Sequence, residues 1–298
     1  MWNISWTMLL LSKRLLRKLG VDDTKEIFCF TAATLVSVFA WNAEAATYEL
    51  VRQPIESIEV GDRVVTHDGD INERNEGLNP QDYRKLTVRT VCVCPDGSVD
   101  EIRVSSLVER NWLDRHLQHR EGRLTAPLDL TAMGLDEVVS ADVVSVEPCP
   151  EICDGPGQIV MTTVTHLNRH LVHLTIESEL GQRETIESTA YHKFFSKSRG
   201  DWVSAIELEP NEVLEGLGGS LVVVQVLPVE GEETVFNLSV RGDHVYRVGR
   251  LGVLVHNDDC DGLSSPLNIS RFLTPKSFLF PRRTSPSQTR SIGDEVVL

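Results

Sequence analysis

Most of this chain is written in short runs whose apolar residues recur at every second position, broken by glycine, proline, asparagine and aspartate. A period of two puts alternate side chains on opposite faces of a strand, and the breakers supply turns, so the pattern predicts strands joined by turns. Phe30, Ala32, Thr34, Val36 and Val38 alternate with small or polar residues, and Ile58 to Val65 forms a turn feeding a second strand. Val88–Val93 and Ile102–Leu107 flank Gly97 as a hairpin, and Val138–Val146 is a further strand. Ile159–Thr165, Leu171–Ile176, Glu184–Thr189, Leu221–Leu227, Val235–Val240, Val245–Val248 and Val253–Val255 follow. Helical patterning is confined to Leu9–Leu19, ended by Gly20, and to a short helix within 108–135. Short strands at this spacing, without a solenoid repeat, predict an all-β fold.

The polar stretches divide the chain. Residues 67–85 hold Gly69, Asn72, Asn75, Gly77, Asn79 and Pro80 and read as an exposed loop, and Pro148, Pro150, Gly155, Pro156 and Gly157 form a rigid one. Residues 258–298, with seven serines and four prolines, read as a flexible tail. The expected organisation is a leader at 1–28, a β-rich domain at 29–257 with an insertion at about 67–158, and the tail.

With 298 residues and 41% hydrophobic content the chain supports a sizeable core. The net charge of −15 argues against a general nucleic-acid binder, which needs an excess of lysine and arginine. No stretch has the length of a membrane span. A basic start, an apolar run from Ile27 to Trp41 and the triplet Ala43-Glu44-Ala45 imitate a signal peptide, which would make this an exported protein. Against that, Asp22, Asp23 and Glu26 directly precede the run, and its residues also alternate as a strand. Six cysteines in a chain this long are no disulfide scaffold. Cys92-x-Cys94 and Cys149-x3-Cys153 lack the spacings of common zinc sites, and a disulfide in an exported protein suits them better.

Three clusters carry candidate chemistry. The first is Cys29-Phe30-Thr31-Ala32-Ala33-Thr34-Leu35-Val36, followed by Pro54-Ile55-Glu56-Ser57-Ile58-Glu59-Val60-Gly61-Asp62-Arg63-Val64-Val65. The second is Thr189-Ala190-Tyr191-His192, then Phe194-Phe195 and Asp201-Trp202-Val203-Ser204-Ala205-Ile206-Glu207-Leu208. The third runs from Val235 through His244-Val245-Tyr246 to Gly252-Val253-Leu254-Val255-His256-Asn257. An asparagine side-chain amide can close on its own carbonyl carbon, forming a succinimide and cutting the chain, and an adjacent histidine can polarise that carbonyl or protonate the leaving amine.

Together the clusters resemble the Hint (Hedgehog/intein) family, in the form found in bacterial polymorphic-toxin and RHS-type proteins. The resemblance covers about residues 29–257 and implies a horseshoe of curved strands with pseudo-twofold halves. It also implies roles. The Cys29 sulfur attacks the Phe28 carbonyl to give a thioester. His192, with the Thr189 hydroxyl, assists the scissile nitrogen. His244 assists the C-terminal cleavage, His256 activates the carbonyl, and Asn257 cyclises. Such a module needs no cofactor, acts on its own chain and is expected to be a monomer.

Several positions depart from the family pattern. Ala33 stands where glycine is usual, Lys193 where proline is common, and Asn237 where splicing inteins often carry aspartate. Asp258 follows Asn257 where splicing requires Cys, Ser or Thr, so cleavage without ligation is expected. A second T-x-x-H, Thr163 to His166, lacks the downstream aromatic run, and His166, His170 and His173 read as strand and turn residues. A cysteine hydrolase built on Cys29 and His192 is disfavoured because the sequence offers no clear orienting carboxylate. The remaining alternative is a degenerate Hint scaffold that serves as a spacer or binding domain.

Overall fold

A computed structural model describes residues 28–67, 73–93, 99–129, 138–242 and 244–256. The expected leader helix Leu9–Leu19, Gly97, Cys94, Asn257 and the Ser/Pro-rich tail lie outside them. Among the described residues one antiparallel network joins seventeen strands. They are β1 (Phe30–Thr31), β2 (Leu35–Asn42), β3 (Thr47–Pro54), β4 (Arg63–Val64), β5 (Tyr83–Val93), β6 (Val99–Glu109), β7 (Gln118–Arg120), β8 (Arg123–Asp129) and β9 (Val138–Pro148). They continue as β10 (Gln158–Ser178), β11 (Arg183–Thr189), β12 (Lys193–Ser196), β13 (Asp201–Ser204), β14 (Val213–Gly216), β15 (Gly219–Val240), β16 (Val245–Val248) and β17 (Val253–His256). The expected short helix is α1, Arg110–His116. The fold is all-β. No helix among the described residues is long and apolar enough to cross a membrane.

The spine is the pairing of β10 with β15, which runs from Val160 opposite Val240 to Ser178 opposite Leu221. The sequence suggests two pairs of short strands here, because His166 to His170 and Pro228 to Thr234 interrupt the apolar pattern. Each pair is instead one strand, of 21 and 22 residues. A register shift between Asn168 and His170 absorbs the interruptions, further shifts lie near Thr162 and Thr175, and such bulges add local twist and bend.

Two halves repeat the same hydrogen bonds about this spine. In the first, Thr34 N–H donates to Thr31 O, Ile55 N–H to Thr34 O and Glu56 N–H to Ala32 O. In the second, His192 N–H donates to Thr189 O, Ala205 N–H to His192 O and Ile206 N–H to Ala190 O. Each half then makes a 3₁₀ turn, Ile55–Ser57 or Ala205–Glu207. A side-chain carboxylate closes the next turn: Asp62 accepts from Glu59 N–H, and Glu212 accepts from Glu209 N–H. The residue before that carboxylate has positive φ in both halves, 100° at Gly61 and 72° at Asn211, where glycine and asparagine are the least strained choices. Thr31-x-x-Thr34 is therefore the structural counterpart of Thr189-x-x-His192.

Strands β5 to β9 and α1 form a layer joined to the spine where β6 pairs with β10, Ser106 opposite Thr162 through Arg103 opposite Thr165. Its apolar face, with Leu86, Val88, Ile102, Val104, Trp112 and Leu128, shares a core with Val164, Leu171, Val235 and the side chain of Cys29. The loops at 73–82 and 149–157 are tied to each other by the bridges Asn75–Gly155 and Leu78–Ile152. The buried Arg63 holds both, donating to the carbonyls of Asn75, Glu76, Cys153, Pro156 and Gly157. The apolar run that imitates a signal peptide contributes β1 and β2, with Val36 and Val38 in the core. Ala33 does not have a positive φ, so alanine there carries no left-handed strain. Cys149 and Cys153 hold free thiols.

Replacing Arg63 with methionine leaves several inward-facing carbonyls without a donor, so it should cost about 3 kcal/mol. Urea unfolding at neutral pH measures this, and an unchanged midpoint would refute the clamp.

Candidate active site

Cys29 sits just before β1, which is held between β11 and β15 through Phe30 opposite Ser188 and Phe236. Its side chain is fully buried. Thr189, at the end of β11, grips the residue from both sides. Its hydroxyl accepts the Cys29 N–H at 2.9 Å, and its own N–H donates to the Cys29 carbonyl at 2.9 Å. The Cys29 nitrogen is the amide of the Phe28–Cys29 bond, so the Thr189 oxygen touches the bond that the family chemistry would break.

The turn that follows Thr189 brings His192 to the same place. Its ring lies 4.0 Å from the Phe30 ring and 6.3 Å from that of Phe28, centroid to centroid, and the residue is fully buried. Burial is the main reason its pKa falls from the ordinary 6.5 to about 3. The nearby His256 pushes the same way, while the Phe28 backbone favours the charged ring slightly. His192 is therefore a neutral imidazole near pH 7, able to offer an N–H but not a cation.

The C-terminal cluster meets the N-terminal one through strand pairing. β17 lies between β12 and β16, with His256 opposite both Lys193 and Val245. Its ring packs against Trp202 at 4.8 Å. His244, immediately before β16, is buried and has φ of 56°. Cys29, Thr189, His192 and His256 thus gather at one end of the sheet, with His244 beside the strand that carries His256. Asn257, one residue past β17, lies outside the described residues.

Two sets of contacts were not legible in the sequence. Asn237 on β15 accepts hydrogen bonds from the Tyr246 hydroxyl at 3.1 Å and from Leu238 N–H. Burial holds the Tyr246 phenol well above its usual range, with Cys29 a lesser cause. The second set brings a correction. His166 is more than a strand residue: its Nε2 is 3.3 Å from Cys29 Sγ. Its Nδ1 is 3.2 Å from Asp100 Oδ2 on β6 and 2.6 Å from Leu167 O. The inserted layer supplies a carboxylate, Asp100, that orients His166 and not His192. The second T-x-x-H motif was the available signal, but it lacks the context of the first. His170 and His173 do remain on β10, with His173 paired to Glu187 at the surface.

Residues 136–258 match the family model of the pretoxin HINT domain. None of the curated proteins matches the sequence. Among solved structures the chain is similar to a bacterial intein-like domain from Clostridium thermocellum, at 21% identity over 77% of this chain and 98% of that one, with a TM-score of 0.37. It is also similar to a DnaB intein from Synechocystis sp. PCC 6803, at 14% identity over 78% and 99%, with a TM-score of 0.31.

A buried neutral histidine makes stability depend on pH. The unfolded ring takes a proton near 6.5 and the folded one only near 3, so this contribution is complete above 6.5 and is lost as pH falls from 6.5 toward 3. Each pH unit inside that window is worth up to about 1.4 kcal/mol. Urea unfolding of the wild type and His192→Gln, compared near neutrality and near the middle of the window, should give a flatter pH slope for the variant; equal slopes would show that His192 is not held neutral.

Proposed function

We propose that residues 29–257 are an autoproteolytic Hint module that cuts its own chain without rejoining the ends. At the C-terminal cut the Asn257 side-chain nitrogen attacks its own carbonyl carbon, forming a succinimide. The bond to Asp258 breaks, and the Asp258 nitrogen departs as an amine with a proton delivered through His256, assisted by His244. At the N-terminal cut the Cys29 sulfur attacks the Phe28 carbonyl, the sulfur proton ends on the departing Cys29 nitrogen, and a thioester remains. Thr189 and His192 ease departure of that nitrogen, and water then releases residues 1–28. Asp258 has no thiol or hydroxyl to receive the thioester, so the ends are not ligated.

The observation that carries this reading is the 2.9 Å contact from the Thr189 hydroxyl to the Cys29 amide, with buried His192 beside it. The contact fixes the scissile nitrogen beside two groups, the Thr189 hydroxyl and the His192 ring, that can donate to it once its lone pair leaves conjugation with the carbonyl. The match to the pretoxin HINT domain supports a role in freeing a C-terminal segment from an exported bacterial protein. No cofactor, nucleic acid or second subunit enters the scheme.

Intact mass spectrometry of the purified chain beside Asn257→Ala and Cys29→Ala tests both cuts. The expected result is a fragment of residues 1–257, lighter by one water than the hydrolysis product, that disappears in Asn257→Ala. Release of residues 1–28 on adding thiol should persist in Asn257→Ala and vanish in Cys29→Ala. Full-length mass in every sample after long incubation would leave the module as a scaffold for binding.

A further inference from the structure

We propose that His166, oriented by Asp100, is the general base that takes the Cys29 thiol proton, so that the inserted layer completes the catalytic apparatus. The inference rests on the reading of Cys29 as the nucleophile. His166 Nδ1 faces two acceptors, Asp100 Oδ2 and Leu167 O, and neither can donate while Asp100 is ionised. The neutral ring must therefore carry its proton on Nδ1. That leaves the Nε2 lone pair directed at Cys29 Sγ, 3.3 Å away. Asp100 is itself anchored, since its Oδ1 accepts the Leu167 N–H at 3.0 Å.

The electrostatics suit a transfer within the cluster. Burial, and then the charge of Asp100, push the Cys29 thiol well above its usual range, so the resting group is protonated. Asp100 is held below its ordinary value: burial opposes ionisation, but the hydrogen bonds from His166 and Leu167 outweigh it. Cys29 and His166 are both buried, so bulk water does not serve as the base. When the sulfur proton moves to Nε2, Asp100 stabilises the imidazolium. The thiolate bonds to the Phe28 carbonyl carbon, and the carbon–nitrogen bond breaks. The Nε2 proton then passes to the departing Cys29 nitrogen, restoring neutral His166. Neutral His192 acts at the leaving nitrogen, so the two histidines divide the work.

The test uses the full chain carrying Asn257→Ala, with hydroxylamine added to trap the thioester and release of residues 1–28 as a hydroxamate followed by mass. His166→Gln should slow this release by about 100-fold or more, the usual range for a general base, and Asp100→Asn by a smaller factor. Release from His166→Gln at the parent rate would overturn the proposal and leave the thioester reading intact. No release from the parent would overturn both. Nitrogen-15 spectra of the histidines in the parent provide a check that does not depend on a variant folding. His166 should show an unprotonated Nε2, and Asp100→Asn should shift the ring toward the other tautomer. A protonated Nε2 in the parent would overturn the proposal.

Discussion

The long antiparallel pairing of β10 with β15 is the constraint on which the rest of this molecule depends. Each strand serves both halves, so every segment that approaches the site does so against one shared ladder. β1 lies between β11 and β15, and β11 pairs with β10, so Cys29 and Thr189 are placed by the same set of backbone bonds. The bulges matter as much as the length. A flat ladder of this extent would not bring the ends of β11 and β17 toward one another, whereas a twisted and bent one does.

The same geometry creates a chemical problem. A thiol and an imidazole buried in an apolar core are both driven to their neutral forms, as the raised Cys29 and lowered His192 pKa values show. A buried neutral pair is stable but poorly nucleophilic. Asp100 is hydrogen-bonded well enough to stay charged, and it reaches the cysteine through His166. Its placement depends on the pairing of β6 with β10, and Arg63 secures the loops that flank the layer. The layer at 83–148 is thus an integral wall of the site.

Much of the architecture was legible in the chain. The alternating runs marked most strands, and the dispersed motifs marked Cys29, Thr189, His192 and His256 because their chemistry depends on local residue order. Strand continuity across His166–His170 and Pro228–Thr234 was hidden, since a bulge absorbs a break in alternation only when a partner strand is present to define it. β12 to β14 were hidden for a related reason: they are short, and their pairing partners are distant in sequence.

By itself the sequence determined the all-β class, and its local motifs carried the family resemblance and the proposed site residues. Hydrophobic period and turn chemistry are local properties, and a motif such as Thr189-x-x-His192 is a single turn. Only the tertiary structure decided that Asp100, His166 and Cys29 meet. They are separated by 66 and 137 positions, and no local pattern encodes that contact. It arises because β6 pairs with β10, the strand that carries His166, and the Cys29 side chain packs into the core shared with that layer.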